Sequence, residues 1–164
     1  MNIRKVQRSD VPAMREIFNE VLRNSNSIYR EAEVTLEERY AWYDEKIEHG
    51  FPIFGAYEGD KLIGYAGYGT WRGAQGYRKT VELTIYIESS ARGKGTGKAL
   101  MQSIIDKATS DGYHVMIGAI DSANTSSIDF HKKFGFTETA RMPEVALKNG
   151  QWLDLVFMQR TLAK

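Results

Sequence analysis

Apolar residues recur along this chain with two different periods, and these periods predict where its helices and strands lie. Spacings of three and four residues predict helices over about 10–22, 35–48, 97–110 and 125–134. Alternating or continuous apolar runs, rich in β-branched and aromatic residues, predict strands at about 2–6, 51–57, 62–71, 80–88, 113–120, 136–147 and 151–161. The resulting order, β-α-α-β-β-β-α-β-α-β-β, is that of an α/β protein.

Local signals mark several boundaries of these elements. Thr35-Leu36-Glu37-Glu38 has the spacing of a capping box and predicts the start of the second helix. Ser9 or Asp10 is expected to cap the first helix. Gly59-Asp60 and Asn149-Gly150 are turn dipeptides, so each predicts a β-hairpin.

Composition narrows the class of protein. With 164 residues, 42% of them hydrophobic, the chain can bury one core, and a single domain over 1–164 is expected. It has no cysteine, which excludes disulfides, thiolate metal sites and a catalytic thiol, and no metal is expected. A net charge of +1 gives no general attraction to nucleic acid or to membranes. Because neither a signal peptide nor a membrane-spanning run is recognisable, we expect a cytoplasmic protein with no nucleic-acid or membrane partner.

A glycine-rich turn, Arg92-Gly93-Lys94-Gly95-Thr96-Gly97-Lys98, lies between a predicted strand and a predicted helix. Such a turn presents backbone N–H groups at the positive end of the helix dipole, where phosphate binds. A Walker loop would need glycine at 92 and Ser or Thr at 99, and the dinucleotide fingerprint Gly-x-Gly-x-x-Gly also fails. The pattern that fits is Arg-x-x-Gly-x-Gly. A flexible linker is the alternative, but flanking core-forming elements disfavour it.

A second motif lies at 124–136, where Asn124 is followed by Ser127 and later by Gly135-Phe136. The two motifs together resemble the GNAT superfamily of N-acetyltransferases, whose first motif binds coenzyme A. His131 stands where that superfamily often has tyrosine. The resemblance implies an acyltransferase fold with a mixed, mostly antiparallel sheet and helices on both faces.

Further segments resemble one branch of that superfamily, the phosphinothricin and methionine sulfoximine acetyltransferases. They are Tyr40-Ala41-Trp42-Tyr43, Trp71-Arg72, Gly76-Tyr77-Arg78-Lys79-Thr80-Val81-Glu82 and Gly150-Gln151-Trp152-Leu153-Asp154. This resemblance covers nearly the whole chain. It implies an enzyme that moves acetyl from acetyl-CoA to the α-amino group of a small amino acid or analogue, and it implies a homodimer.

The resemblance also indicates which residues hold acetyl-CoA. The turn would bind the pyrophosphate, the backbone of the preceding strand would pair with the pantetheine arm, and an asparagine amide would lie near the ligand. These residues are Ile85, Tyr86, Ile87, Arg92, Gly93, Lys94, Gly95, Thr96, Gly97, Lys98 and Asn124. Lys94 and Lys98 could instead be solvated charges, and Asn124 could cap a helix, alone or in addition.

Amide formation from a thioester requires a neutral amine, and an α-amino group is mostly protonated near neutral pH. Glu82 is the candidate general base, because the family's matching glutamate has that role. His131 is the second candidate, as proton donor to the thiolate or as an assisting base. Tyr86 could donate a proton or could pack in the core. The alternatives are a solvated carboxylate at Glu82 and an exposed histidine at 131 beside Lys132 and Lys133.

The acceptor amine is expected against the loop that follows the strand at 62–71. The residues expected to bind it are Trp71, Arg72, Gln75, Gly76, Tyr77, Arg78 and Glu82. Arg72 and Arg78 could hold the carboxylate of the acceptor with paired hydrogen bonds, or they could be solvated. The polar loop at 27–31 could close over this site.

Three kinds of function fit these features. The first is an acetyltransferase acting on a small amine, and the second is one acting on the α-amine of a peptide or protein. The third is a non-catalytic module that binds acyl-CoA, which the presence of Glu82 disfavours.

Overall fold

A computed structural model describes residues 1–163, which form one seven-stranded sheet and four α-helices. The strands are β1 (Asn2–Lys5), β2 (Ile53–Glu58), β3 (Lys61–Thr70), β4 (Thr80–Ile87), β5 (Val115–Asp121), β6 (Thr137–Lys148) and β7 (Gln151–Thr161). The helices are α1 (Val11–Asn24), α2 (Leu36–Glu48), α3 (Thr96–Ser110) and α4 (Thr125–Lys133). The predicted α/β class and element order are confirmed.

The start of α2 follows the predicted capping box. The Thr35 hydroxyl accepts the N–H of Glu38 at 3.1 Å, and the Glu38 carboxylate accepts the N–H of Thr35 at 3.1 Å. The start of α1 differs from the prediction. Asp10 precedes the helix, but its backbone is already helical, and its carboxylate bonds the N–H of Gln7 and the hydroxyl of Tyr57, each at 2.8 Å. Within residues 1–163 no side chain caps α1, because a cap requires an extended backbone at that residue.

The sheet has the order β1-β2-β3-β4-β5-β7-β6. Every neighbouring pair is antiparallel except β4 and β5, which run parallel. The β6–β7 hairpin turns at Asn149 and Gly150, whose φ angles of 51° and 76° are both left-handed. Positive φ at two consecutive residues is what a tight hairpin turn requires, and Asn-Gly adopts it readily.

Helices cover both faces of the sheet, as the resemblance implied. On one face, α3 buries Leu100, Met101 and Ile104 against Val81 and Leu83 of β4. On the other face, α1 and α2 pack on the sheet with Val11, Met14, Ile17 and Tyr43 among the buried side chains. Alternate residues of β4 therefore point to different helical layers.

Candidate active site

The strands β4 and β5 separate partway along their length and open a cleft of about 1020 Å³. Their pairing extends from Thr80 opposite Val115 only to Glu82 opposite Ile117. On its other side β4 stays paired with β3 as far as Ile87. The β5-facing backbone groups of 83–87 therefore face the cleft, where they could pair with an extended ligand as a strand would.

The glycine-rich turn lies at one end of this cleft, at the start of α3. Gly93 and Gly95 have φ angles of 75° and 80°, which side-chain-bearing residues rarely adopt. Gly95 is the N-cap residue immediately before α3, and in the described part of the chain no side chain caps that end. The first-turn N–H groups remain available, and the helix dipole favours a negative ligand there. This is a good fit to the pyrophosphate of coenzyme A.

Basic side chains surround that helix end. Arg92 and Lys98 line the cleft, and Lys94 is exposed on the same turn. Among residues 1–163, none of the three forms an ion pair within the chain. Thr96 is different, because its hydroxyl is buried and donates to the carbonyl of Ala91 at 3.3 Å. Of Thr96, only the backbone N–H could therefore contact a phosphate.

Glu82 lies where the two strands begin to separate, on the face of the sheet covered by α2. It is half-buried and lines both the large cleft and a smaller cavity of about 350 Å³ behind it. Burial raises the pKa of the Glu82 carboxyl above its ordinary value, while the positive charge of Lys46 acts in the opposite direction. Glu82 is therefore not a fully solvated carboxylate, and a raised pKa suits a group that accepts a proton near neutral pH.

His131 lies at the opposite wall of the cleft, on the face of the sheet covered by α3. It is 3% exposed, so the alternative of a surface histidine is wrong. Its Nδ1 lies 2.7 Å from the carbonyl of Ser127, and because a carbonyl only accepts, Nδ1 carries the hydrogen. Nε2 is buried beside Gly118 and has no partner within the described residues.

The protonation state of His131 limits what it can do. Burial lowers the pKa of the His131 imidazole, which favours the neutral ring. With its hydrogen on Nδ1, the neutral ring offers only a lone pair at Nε2. This arrangement suits a hydrogen-bond or proton acceptor better than the proton donor to the thiolate that the sequence suggested.

Asn124 caps α4 and also lines the cleft. Its side-chain oxygen accepts the N–H of Ser127 at 3.2 Å, and its amide nitrogen donates to the hydroxyl of Ser27 at 3.4 Å. The capping role is thus present, and contact with the coenzyme stays a prediction. Tyr86 also lines the cleft, and burial raises its pKa, so the hydroxyl stays protonated.

The predicted acceptor loop lies at the edge of the cleft. In the described part of the chain, residues 71–78 line neither cavity, and of the predicted acceptor residues only Glu82 does. The ring of Trp71 packs 5.2 Å from that of Tyr77 and 6.4 Å from that of Phe157. Phe157 pairs across the sheet with Ala119, a cleft residue, so this aromatic group borders the cleft.

The arginines of the acceptor loop are exposed. The guanidinium of Arg72 lies 5.8 Å from the ring of Trp71 and 5.5 Å from that of Tyr77. The guanidinium of Arg78 donates to the backbone carbonyl of Gln75 at 3.2 Å, within a short turn that includes Gly76. Arg72 is therefore held over aromatic surface beside the cleft, whereas Arg78 stabilises the loop.

Further residues line the two cavities, and of these only the loop at 27–31 was expected near the site. The loop at 25–29 lines the cleft and is tied to the sheet, since the hydroxyl of Tyr29 lies 2.6 Å from the Asp121 carboxylate. Phe18 and Val21 of α1 also line it, although the spacing of α1 indicated only that they face inward. Lys46 was missed too, although its position four residues after Trp42 places it on the inner face of α2.

Two further properties of the described residues concern metal ions and membranes. Among residues 1–163, no three His, Asp or Glu side chains are grouped as a metal ion would require. None of the helices described here is both long enough and apolar enough to cross a membrane.

Comparison with known proteins agrees with this geometry. A family model described as an acetyltransferase (GNAT) domain matches residues 3–157, and the chain belongs to this family of acetyl-CoA-dependent acetyltransferases. An L-methionine sulfoximine/L-methionine sulfone acetyltransferase from Pseudomonas aeruginosa is 41% identical over 162 residues, covering 98% of this chain and 94% of that protein. The predicted family and fold are confirmed.

Two solved structures are close to this one. A putative acetyltransferase from Salmonella typhimurium, with its cofactor acetyl-CoA, has a TM-score of 0.96 and 40% identity, covering 100% of this chain and 95% of that chain. A ribosomal-protein-alanine N-acetyltransferase from Brucella melitensis has a TM-score of 0.97 and 38% identity, covering 99% of this chain and 100% of that chain.

Proposed function

We propose that this enzyme transfers acetyl from acetyl-CoA to the α-amino group of a small amino acid or analogue, of the methionine sulfoximine, methionine sulfone or phosphinothricin type. The observation that carries the proposal is the position of Glu82, half-buried where β4 and β5 separate. At this point a base can reach an amine directed at the cleft. The Pseudomonas relative, named for methionine sulfoximine and methionine sulfone, supports the acceptor class.

Different residues of the cleft have different roles in the proposed reaction. The amine attacks the thioester carbon of acetyl-CoA and the C–S bond breaks. Coenzyme A then leaves as the thiol, with the proton that the nitrogen loses on becoming an amide. The N–H groups at the start of α3, with Arg92 and Lys98, bind the pyrophosphate, and the open edge of β4 orients the pantetheine arm. Glu82 takes a proton from the acceptor ammonium and so provides the neutral amine. Nε2 of the neutral, buried His131 has no partner among residues 1–163 and would accept a hydrogen bond from the bound ligand.

The acceptor would lie between Glu82 and the aromatic group of Trp71 and Tyr77. Arg72 is near enough to this group to hold the acceptor's carboxylate, since it lies 5.5 Å from the Tyr77 ring. A guanidinium matches the geometry of a carboxylate with two parallel hydrogen bonds. This supports an amino acid as the acceptor.

A second candidate is acetylation of the α-amine of a peptide or protein. It is favoured by the likeness to the Brucella melitensis structure, which is named a ribosomal-protein-alanine N-acetyltransferase. The position of Arg72 favours the small acceptor, because a peptide chain has an amide where an amino acid has its carboxylate.

A homodimer and a cytoplasmic location remain predictions. The dimer is supported by an exposed apolar group on the β6–β7 hairpin, with Val145, Leu147 and Trp152 being 48%, 53% and 59% exposed. Apolar surface of this kind is often covered by a partner. We infer that a second copy of the chain covers it, and light scattering that gave the mass of one chain, 18.6 kDa, would contradict this.

The acceptor proposal can be tested by following thiol release from acetyl-CoA. The panel should hold methionine sulfoximine, methionine sulfone, phosphinothricin, common amino acids and short peptides. Turnover is expected with the amino-acid analogues and should fall at least 100-fold in Glu82→Gln, with the affinity for acetyl-CoA unchanged. Turnover of peptides alone would favour the second candidate, and coenzyme binding without turnover of any amine would indicate the non-catalytic module.

A further inference from the structure

A lysine ammonium lies in the space where β3 lacks a side chain opposite Glu82. Gly69 of β3 pairs directly with Glu82 of β4. A Cβ atom built on Gly69 would lie only 2.6 Å from Nζ of Lys46. Because directly paired residues of antiparallel strands hold their Cβ atoms roughly 5 Å apart, the ammonium occupies the cross-strand neighbour position of Glu82.

Lys46 belongs to α2, and its side chain extends from that helix to the face of the sheet. Nζ of Lys46 donates to the carbonyl of Tyr68 at 3.0 Å and lies 6.0 Å and 5.6 Å from the rings of Trp42 and Phe51. The side chain is thus fixed at its end by one hydrogen bond and along its stem by aromatic surface.

The smaller cavity joins this lysine to the proposed base. Lys46 and Glu82 both line it, and Glu82 also lines the large cleft. The carboxyl group therefore stands between the space for acetyl-CoA on one side and the lysine on the other. Within residues 1–163 no hydrogen bond or ion pair joins this ammonium to Glu82, which leaves the carboxylate free to bind an amine.

Few other charges act on this pair. Burial lowers the pKa of Lys46, and Arg39 of α2 lowers it too, whereas Glu82 and Glu45 raise it. His49 of α2 lines the same cavity. From β3, the nearest group is the uncharged carbonyl of Tyr68. From β4, Tyr86 feels the charge of Glu82 but is itself neutral, because burial raises its pKa. Lys46 is therefore the cation that acts most directly on Glu82.

We propose that Lys46 is a positioning residue that acts on the reaction through Glu82, because its ammonium lines the same cavity and favours the ionised form of the Glu82 carboxylate. The inference rests on the proposed function, because it requires Glu82 to accept the proton of the acceptor ammonium. Gly69 is required for this placement of Lys46, since any larger residue there would occupy the space of the ammonium.

The expected pH dependence follows from the sign of each effect. Burial raises the pKa of Glu82, and Lys46 lowers it. Removing the lysine charge therefore raises the pKa further, so that Glu82 is protonated and inactive up to a higher pH. The acid limb of kcat/KM should move to higher pH by about one unit, as for the loss of an opposite charge some 4–6 Å away.

The experiment compares the pH profiles of the wild type and four variants, with methionine sulfoximine as acceptor. Lys46→Met should move the acid limb upward by about one unit, with about tenfold lower kcat/KM below the limb. Lys46→Arg keeps the charge and should leave the limb within about 0.3 units of that of the wild type. Lys5→Met removes an exposed lysine of β1 and should change nothing, which controls for net charge.

A purely structural role for Lys46 gives a different result. Lys46→Met would then lower kcat at every pH equally, with the limb in place, and this outcome overturns the proposal. Gly69→Ala tests the same idea without removing the lysine, since the methyl group should displace the ammonium and move the limb in the same direction. An unmoved limb in Gly69→Ala, with circular dichroism unchanged, would also overturn it. If the wild type acetylates no amine at all, the proposed function fails first.

Discussion

Replacement of Lys148 by methionine should weaken the wall of the cleft. Lys148 of β6 is 2% exposed, and its Nζ donates to three backbone carbonyls, those of Leu22 at 2.9 Å, Ser25 at 2.9 Å and Ile28 at 2.8 Å. Leu22 lies in the last turn of α1, whose carbonyls have no partner in the helix. One ammonium thus caps α1 and fixes the loop that lines the cleft.

The size of the effect follows from these three bonds. A hydrogen bond to a charged group contributes about 1.5–3 kcal/mol, but removing an ammonium from water costs several kcal/mol. A methionine side chain keeps the apolar part of the lysine side chain but leaves the three backbone carbonyls without a hydrogen-bond donor. The expected loss is about 3 kcal/mol in the free energy of unfolding, in the range seen when one partner of a buried charged cluster is removed.

Urea unfolding of Lys148→Met and wild type would measure the loss, with Lys5→Met as the surface control. Hydrogen exchange should also speed up at residues 22–28, because opening this loop exposes amides near the end of α1. A free energy of unfolding within 0.5 kcal/mol of the wild type, with exchange at 22–28 unchanged, would refute this account.

Two other substitutions test parts of the cleft. Gly95→Ala puts a Cβ at a φ of 80° and should lower the free energy of unfolding by about 1 kcal/mol. It should also weaken acetyl-CoA binding, measured by calorimetry. Gly59→Ala, at a φ of 60° in the β2–β3 turn, should cost similar stability and leave acetyl-CoA binding unchanged. Arg72→Ala should raise the KM for an amino-acid acceptor about tenfold, as expected for one lost charge-assisted contact, and leave the KM for acetyl-CoA unchanged. An equal rise in both KM values would mean that the acceptor binds elsewhere.

Features that depend on neighbouring residues could be predicted from the sequence. The capping box at Thr35 and the Asn149-Gly150 turn are local, because each is set by residues within four positions of one another. The glycine-rich turn also depends on local backbone geometry, with left-handed φ at Gly93 and Gly95. Even there, Asp10 shows the limit, since a short turn before α1 redirected its carboxylate to Gln7.

Features that depend on distant residues could not be predicted. His131 lies beside two lysines in sequence, which suggests an exposed face, yet the sheet buries it against Gly118. Lys46 and Glu82 are 36 positions apart in the sequence and line the same cavity, where the absence of a side chain at Gly69 leaves room for the ammonium. Helical period and strand alternation give the face of each element, but they do not say which elements will share a cavity.

The separation of β4 and β5 explains why one cleft can hold two titratable groups with different properties. Glu82 points to the layer of α2 and His131 lies in the layer of α3, so an intact sheet would keep them apart. Each group is desolvated by its own layer, which raises the pKa of the acid Glu82 and lowers the pKa of the base His131. Both shifts favour the neutral form, and only Glu82 has a cation behind it to restore its charge. Under the proposed function, Glu82 removes the proton of the acceptor ammonium, and the charge of Lys46 opposes the burial that raises the pKa of Glu82.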